Sequence, residues 1–159
     1  MLLRGEQGTE LELQLVGYEH PREETDPWES NSLLVSVRVI APQGSWEVVD
    51  PCLTTWEAAH VVRWCAALAA RADLVANRPL GISEPNVAFT GRARRGHPDH
   101  VDVRACFALE LRPPWVRAVA GTGDLCVDLE VGRDQLAAAA RALAADLDRF
   151  PQRGPDPTL

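Results

Sequence analysis

Each strand-like segment of this chain has one apolar face and one polar face, and that alternation restricts its fold more than any other feature. In residues 9 to 18, TELELQLVGY, Leu11, Leu13 and Leu15 point one way and Glu10, Glu12 and Gln14 the other. In residues 33 to 40, LLVSVRVI, one face carries Leu33, Val35, Val37 and Val39, and the other carries Ser36 and Arg38. Val101 to Leu111 is the longest such segment. Val101, Val103, Ala105, Phe107, Leu109 and Leu111 lie toward a core, and Asp102, Arg104 and Glu110 lie away from it. Leu125, Val127, Leu129 and Val131 alternate with outward Asp128 and Glu130. Strand side chains change sides with a period of two, so each segment buries one face. Parallel sheets are buried on both faces. One-sided segments therefore indicate an antiparallel sheet covered on one side.

Turn and helix signals order these segments. Residues 19 to 32 hold two prolines and five acidic side chains and read as a loop. Ala41-Pro42-Gln43-Gly44 is a turn from which Ser45 to Val49 returns as a third strand, and Pro51 ends that strand. Thr54 and Glu57 stand at capping-box spacing, which predicts a helix from about Thr55 to Ala72. Val61, Trp64, Cys65, Leu68 and Ala72 form its inward stripe; Glu57, Arg63, Ala67 and Arg71 face out. Asn77-Arg78-Pro79 breaks it, and Glu84-Pro85-Asn86 leads into a short strand, Val87 to Thr90. A second helix runs from about Asp134 to Arg149, with Leu136, Ala140, Leu143, Leu147 and Phe150 on one stripe.

The order is three strands, a helix, three strands, a helix. The expected fold is a two-layer α+β domain, an antiparallel sheet of about six strands with two helices on one face. Residues 1 to 150 form one domain, and the proline-rich residues 151 to 159 a flexible tail. Trp64 should pack near Phe107 or Leu109. Asp50 and Asn86, each beside a sharp turn, should be buried and bonded to loop backbone.

A formal net charge of -7, with all 16 basic residues arginine, argues against a nucleic-acid or anionic-lipid partner. The first residues lack a signal-peptide pattern, and no apolar run spans a bilayer, so the expected compartment is the cytoplasm. Cys52, Cys65, Cys106 and Cys126 form no CxxC pair and read as buried, reduced thiols. His97 and His100 make an HxxH in a loop, with no third histidine or cysteine beside them, which predicts no metal site. Arg92, Arg94 and Arg95 read as solvated arginines. Phosphate-loop, dinucleotide, metalloprotease and nucleophile-elbow motifs are all missing, and Gly121-Thr122-Gly123 is too short to cradle phosphate. No cofactor or catalytic residue is expected. The acidic loop, with Glu19, Glu23, Glu24, Asp26 and Glu29, is the candidate surface for a basic partner.

Asp50-Pro51-Cys52-Leu53-Thr54-Thr55-Trp56-Glu57 resembles the WapI-type immunity proteins of bacterial polymorphic toxin systems. Trp28-Glu29-Ser30-Asn31 is similar to that family's tryptophan-acidic-x-asparagine segment, and Glu84-Pro85-Asn86-Val87-Ala88-Phe89 to its EPN-plus-aromatic strand. The alanine-rich last helix ending at Phe150-Pro151 also fits. Ser32 stands where the family usually has a second tryptophan, and Glu29 replaces the commoner aspartate. The resemblance implies a non-catalytic protein that binds and neutralises a cognate toxin, often a nuclease. Asp50, Thr54, Trp56, Glu57, Trp64 and Asn86 are its structural positions, and homodimerisation is left open. The alternative is a small-molecule-binding domain or minor enzyme using the polar sheet face.

Overall fold

The computed structural model describes residues 1–71, 79–83, 85–117 and 123–158. Among them, two antiparallel sheets and four helices surround one hydrophobic core. The first sheet holds β1 (Leu2–Arg4), β2 (Glu10–Tyr18), β3 (Ser32–Ala41) and β4 (Gly44–Thr54), side by side in that order. The second holds β5 (Val87–Ala93), β6 (His100–Phe107) and β7 (Leu125–Gly132). α1 (Pro27–Asn31) lies between β2 and β3, and α2 (Thr55–Ala69) follows β4. α3 (Pro114–Arg117) precedes β7, and α4 (Arg133–Leu147) follows it. The long helices α2 and α4 pack on each other and against strands of both sheets.

The alternation operates as expected. Leu11, Leu13 and Leu15 pair in register with Val39, Val37 and Val35, and all six are buried. Burying such a side chain is worth ~1.5–3 kcal/mol. Alternation reports which face is buried, not which edges pair, so the single sheet of about six strands is instead two sheets with seven strands among the described residues. β1 is too short to show periodicity, yet Leu3 is fully buried and pairs with Leu11. Just after β1 the chain passes so close to β7 that a Cβ on Gly5 would sit 3.3 Å from Leu129 Cα.

Several boundaries also move. The loop at 19 to 32 contains α1, started by Asp26, whose carboxylate accepts from the Trp28 amide, with Pro27 in the first turn. β4 does not stop at Pro51 but continues to Thr54. It is an edge strand, and the register skips Cys52 between Leu53 and Pro51. A proline is tolerated at such a bulged edge because its missing donor leaves no ladder bond unmade. β6 ends at Phe107. A 3-10 turn, Leu109–Leu111, follows, leaving Leu109 45% exposed while Leu111 is buried. Trp46 Nε1 donates to the Leu111 carbonyl at 3.0 Å and holds this turn against β4.

The four cysteines do not behave alike. Cys52 and Cys65 are buried and outside any disulfide, and burial pushes the Cys65 thiol up to about 12. Cys106 and Cys126 are not free thiols but a disulfide between directly opposed positions of β6 and β7, with Cα atoms 4.0 Å apart. The antiparallel register joins residues that stand 20 apart in sequence.

Val61, Trp64, Cys65 and Leu68 of α2 face the core; Ala72, Asn77, Arg78, Glu84, Gly121 and Thr122 lie outside the described residues. Trp64 stacks obliquely on Phe89 of β5, ring centroids 6.0 Å apart, in the core cluster that also holds Phe107, while Leu109 is exposed. Phe107 meets Trp46 edge to face at 5.4 Å. Beside Trp64, a Cβ on Gly91 would lie 2.5 Å from Leu68 Cδ1 and 3.0 Å from Trp64 Cζ2, so glycine here admits the helix. Trp64→Ala should therefore lower unfolding free energy by ~3–5 kcal/mol in urea titrations. Gly91→Ala should cost ~1–3 kcal/mol by overpacking the same contact. A wild-type midpoint for both variants would contradict this packing.

Candidate functional site

Where β4 passes into α2, a buried carboxylate organises the chain. Glu57 is expected outward from the helix pattern but is only 3% exposed. Its Oε2 accepts from the Thr54 amide and from the Thr54 hydroxyl, both at 2.9 Å. Thr54 Oγ1 in turn accepts from the Glu57 amide at 3.3 Å, completing the capping box. Glu57 Oε1 accepts from the Ser83 amide at 2.5 Å, which ties the approach to β5 onto the helix start. A buried carboxylate is tolerated only when hydrogen-bonded, and these donors and the positive end of α2 meet that need.

Asn31 makes a second junction. It is fully buried and uses its whole amide. Nδ2 donates to the carbonyls of Pro27 (2.8 Å) and Arg153 (2.7 Å). Oδ1 accepts from the Thr55 hydroxyl (2.9 Å) and the Arg153 amide (2.8 Å). Residues 151 to 153, beyond α4, are thus bonded to the acidic loop, and the Tyr18 hydroxyl donates to the Pro151 carbonyl. The Arg153 guanidinium lies 3.4 Å over the Tyr18 ring and donates to the carbonyls of His20, Pro21, Arg22 and Ser30. That array shapes the loop that carries Glu23, Glu24 and Asp26.

Asp50 and Asn86 bond to each other. Asn86, 6% exposed, donates Nδ2 to Asp50 Oδ1 at 2.9 Å, and Asp50 is half-buried. The Asn86 side-chain oxygen is buried with no hydrogen-bond partner. Trp56 is buried beneath Trp28, with the rings perpendicular and 5.1 Å apart.

These pieces enclose a cleft of about 470 Å³. It is lined by Glu19, Trp28, Glu29, Ser32, Asp50, Pro51, Leu53, Thr54, Glu57, Ser83, Asn86 and Glu110. Among the described residues of this wall five are acidic and none is basic, which favours a cationic group from outside. Glu19 and Glu29 belong to its wall, while Glu23, Glu24 and Asp26 stand exposed on the adjoining turn. Trp64 is not part of it; its place is the core against Phe89. Sequence reasoning missed Ser83 and Glu110 as lining residues. Glu110 was hidden because its strand was continued past Phe107. α1 was legible in principle, from aspartate at the cap followed by proline.

The outer face of the second sheet is polar in a different way. Arg92 and Arg94 pair with Asp102 at 3.1 and 2.8 Å, and Arg94 also pairs with Glu130 at 2.7 Å. Arg104 grips Asp128 with two bonds, at 2.8 and 2.9 Å, and this contact holds the Asp128 carboxyl below its usual range. These charges are matched by arginine–carboxylate pairs within the protein; no arginine stands among the described residues that line the cleft. Among the described residues no helix is long and apolar enough to cross a membrane.

Glu57→Ala would leave the Thr54 and Ser83 amides without their acceptor and should cost ~2–3 kcal/mol in chemical denaturation. Glu57→Gln, which keeps an acceptor oxygen, should recover part of that loss. Equal stability of both variants and wild type would contradict the central place of this carboxylate.

No curated protein matches the chain by sequence. The sequence profile of the immunity protein WapI-like family matches residues 1–151, from β1 through α4 to the first residue of the tail. The chain therefore belongs to the immunity protein WapI-like family.

Proposed function

We propose that this protein neutralises a cognate bacterial toxin by binding it, and that the acidic cleft with its adjoining loop is the contact surface. The observation that carries this reading is a convergence. Trp28, Glu29, Asp50, Thr54, Glu57 and Asn86, far apart in the chain, line one cleft whose described wall residues include five acidic ones and no basic one. Membership of an immunity family supports toxin neutralisation in general. The acidity favours a toxin with a basic surface, as a nuclease has where it holds phosphates. Ser32 lines the cleft where the family pattern usually has tryptophan, so its wall differs from the common pattern in a way that suits a particular partner. The role is one of binding without turnover, in the cytoplasm.

The alternative, a small-molecule site on the polar sheet face, has in its favour two cavities of about 300 Å³ each there. Their charged side chains are already paired with one another, which leaves less for a ligand to satisfy.

Co-expression in a sensitive host tests the proposal: cells should survive the toxin encoded beside this gene only when this protein is present. Loss of protection, with no complex formed, would remove the immunity reading. In stopped-flow association, Glu23→Gln, Glu24→Gln and Asp26→Asn together should slow complex formation about tenfold at low salt and weaken its salt dependence. Asparagine is chosen at position 26 because it still caps α1. An unchanged association rate would place the contact elsewhere.

A further inference from the structure

The β5–β6 hairpin and β7 bring together side chains that are separate in the sequence. His97 stands in the hairpin loop, His100 opens β6, and Glu130 lies on β7, opposite Asp102 of β6. One donor atom from each of His97, His100 and Glu130 lies within 4.8 Å of the others. The HxxH spacing lacks a third ligand locally, and the sheet register supplies one from 30 residues downstream of His100.

The loop that carries the histidines is built. The His97 amide donates to the Arg94 carbonyl at 3.3 Å, and the His100 amide to the His97 carbonyl at 3.0 Å. Gly96 adopts φ +76, a left-handed conformation that glycine takes without strain. Arg133 bonds the carbonyls of Pro98 (2.7 Å) and Asp99 (2.9 Å), from its side chain and its amide respectively. Arg71 pairs with the Asp99 carboxylate at 2.6 Å. The backbone is thus held from two sides, and the imidazoles face one another at right angles, centroids 6.1 Å apart.

We propose that His97, His100 and Glu130 form a binding site for Zn²⁺ that clips the hairpin loop to β7. Two imidazoles and a carboxylate are a borderline-soft donor set that suits zinc and is poor for calcium or magnesium. Tetrahedral zinc with bonds of ~2.0–2.2 Å needs donors roughly 3.3 Å apart. His97 is exposed and can close that gap by side-chain rotation. Arg94 already donates to Glu130 Oε2 at 2.7 Å, which leaves the other oxygen for the metal and orients the carboxylate. Asp102 shares Arg94 at 2.8 Å and offsets its positive charge near the ion. The fourth position is open to water and lies within reach of Glu6, whose Oε1 is 4.0 Å from His100 Nε2.

The test is calorimetric titration of the full chain, freed of metal with a chelator, with zinc chloride. Saturable binding of one equivalent is expected, with no heat of binding from calcium chloride. His97→Ala and His100→Ala should each weaken zinc binding at least about tenfold. Because a loop variant can perturb folding, imidazole NMR signals of the unaltered protein provide a second reading. Zinc should shift His97 and His100 and leave His20 and His60 in place. Absence of saturable binding, affinity retained in the His97→Ala, His100→Ala double variant, or shifts confined to His20 or His60 would each overturn the site.

Discussion

The carboxylate of Glu57 is the interaction on which the junction of this fold depends. It accepts from Thr54 on one oxygen and from Ser83 on the other, so one side chain starts α2 and fixes the chain on its way to β5. Each of these donors is a group that would otherwise lose its water on folding without replacement. Next to it, Asn31 joins α1, α2 and the segment after α4 through four hydrogen bonds. The Asn86 to Asp50 bond then links the second sheet to the first. Four polar side chains, Glu57, Asn31, Asn86 and Asp50, thus do what an apolar core cannot: they specify where loops, rather than faces, meet.

This arrangement explains the shape of the charge. The net charge of -7 is not spread evenly. On the outer face of the second sheet, arginines and carboxylates cancel in pairs. Exposed pairs of this kind add little stability, but they leave little net field there. Around the start of α2, five acidic residues and no arginine stand among the described residues that line the cleft. The local excess of negative charge therefore falls where the family's motif residues converge, and that coincidence links the fold to the proposed role.

Much of the fold was legible in the sequence, and the misses have physical causes. The faces of β2, β3, β6 and β7 follow from period-two alternation, and α2 follows from its cap and stripe. The division into two sheets was not legible, because alternation carries no information on edge pairing. Pro51 reads as a strand end, yet an edge strand with a bulge accommodates it. Helical periodicity points Glu57 outward because it ignores the inward pull of a capping box. The cysteine pair depends on register between β6 and β7, which local sequence does not encode. At the candidate site, the sequence marks Asp50, Thr54, Trp56, Glu57 and Asn86 only as structural positions. The cleft that Asp50, Thr54, Glu57 and Asn86 share emerges from contacts between segments distant in the chain, such as the bond from Asn86 to Asp50 across 36 residues.

The most direct measurement is amide hydrogen exchange on the full chain, alone and bound to the toxin encoded beside it. Binding through the cleft predicts added protection at residues 19 to 31, 50 to 57 and 85 to 86, with the outer faces of α2 and α4 unchanged. Protection confined to residues 58 to 69 of α2 and to α4, with those three segments exchanging as in the free protein, would contradict the cleft as the recognition surface.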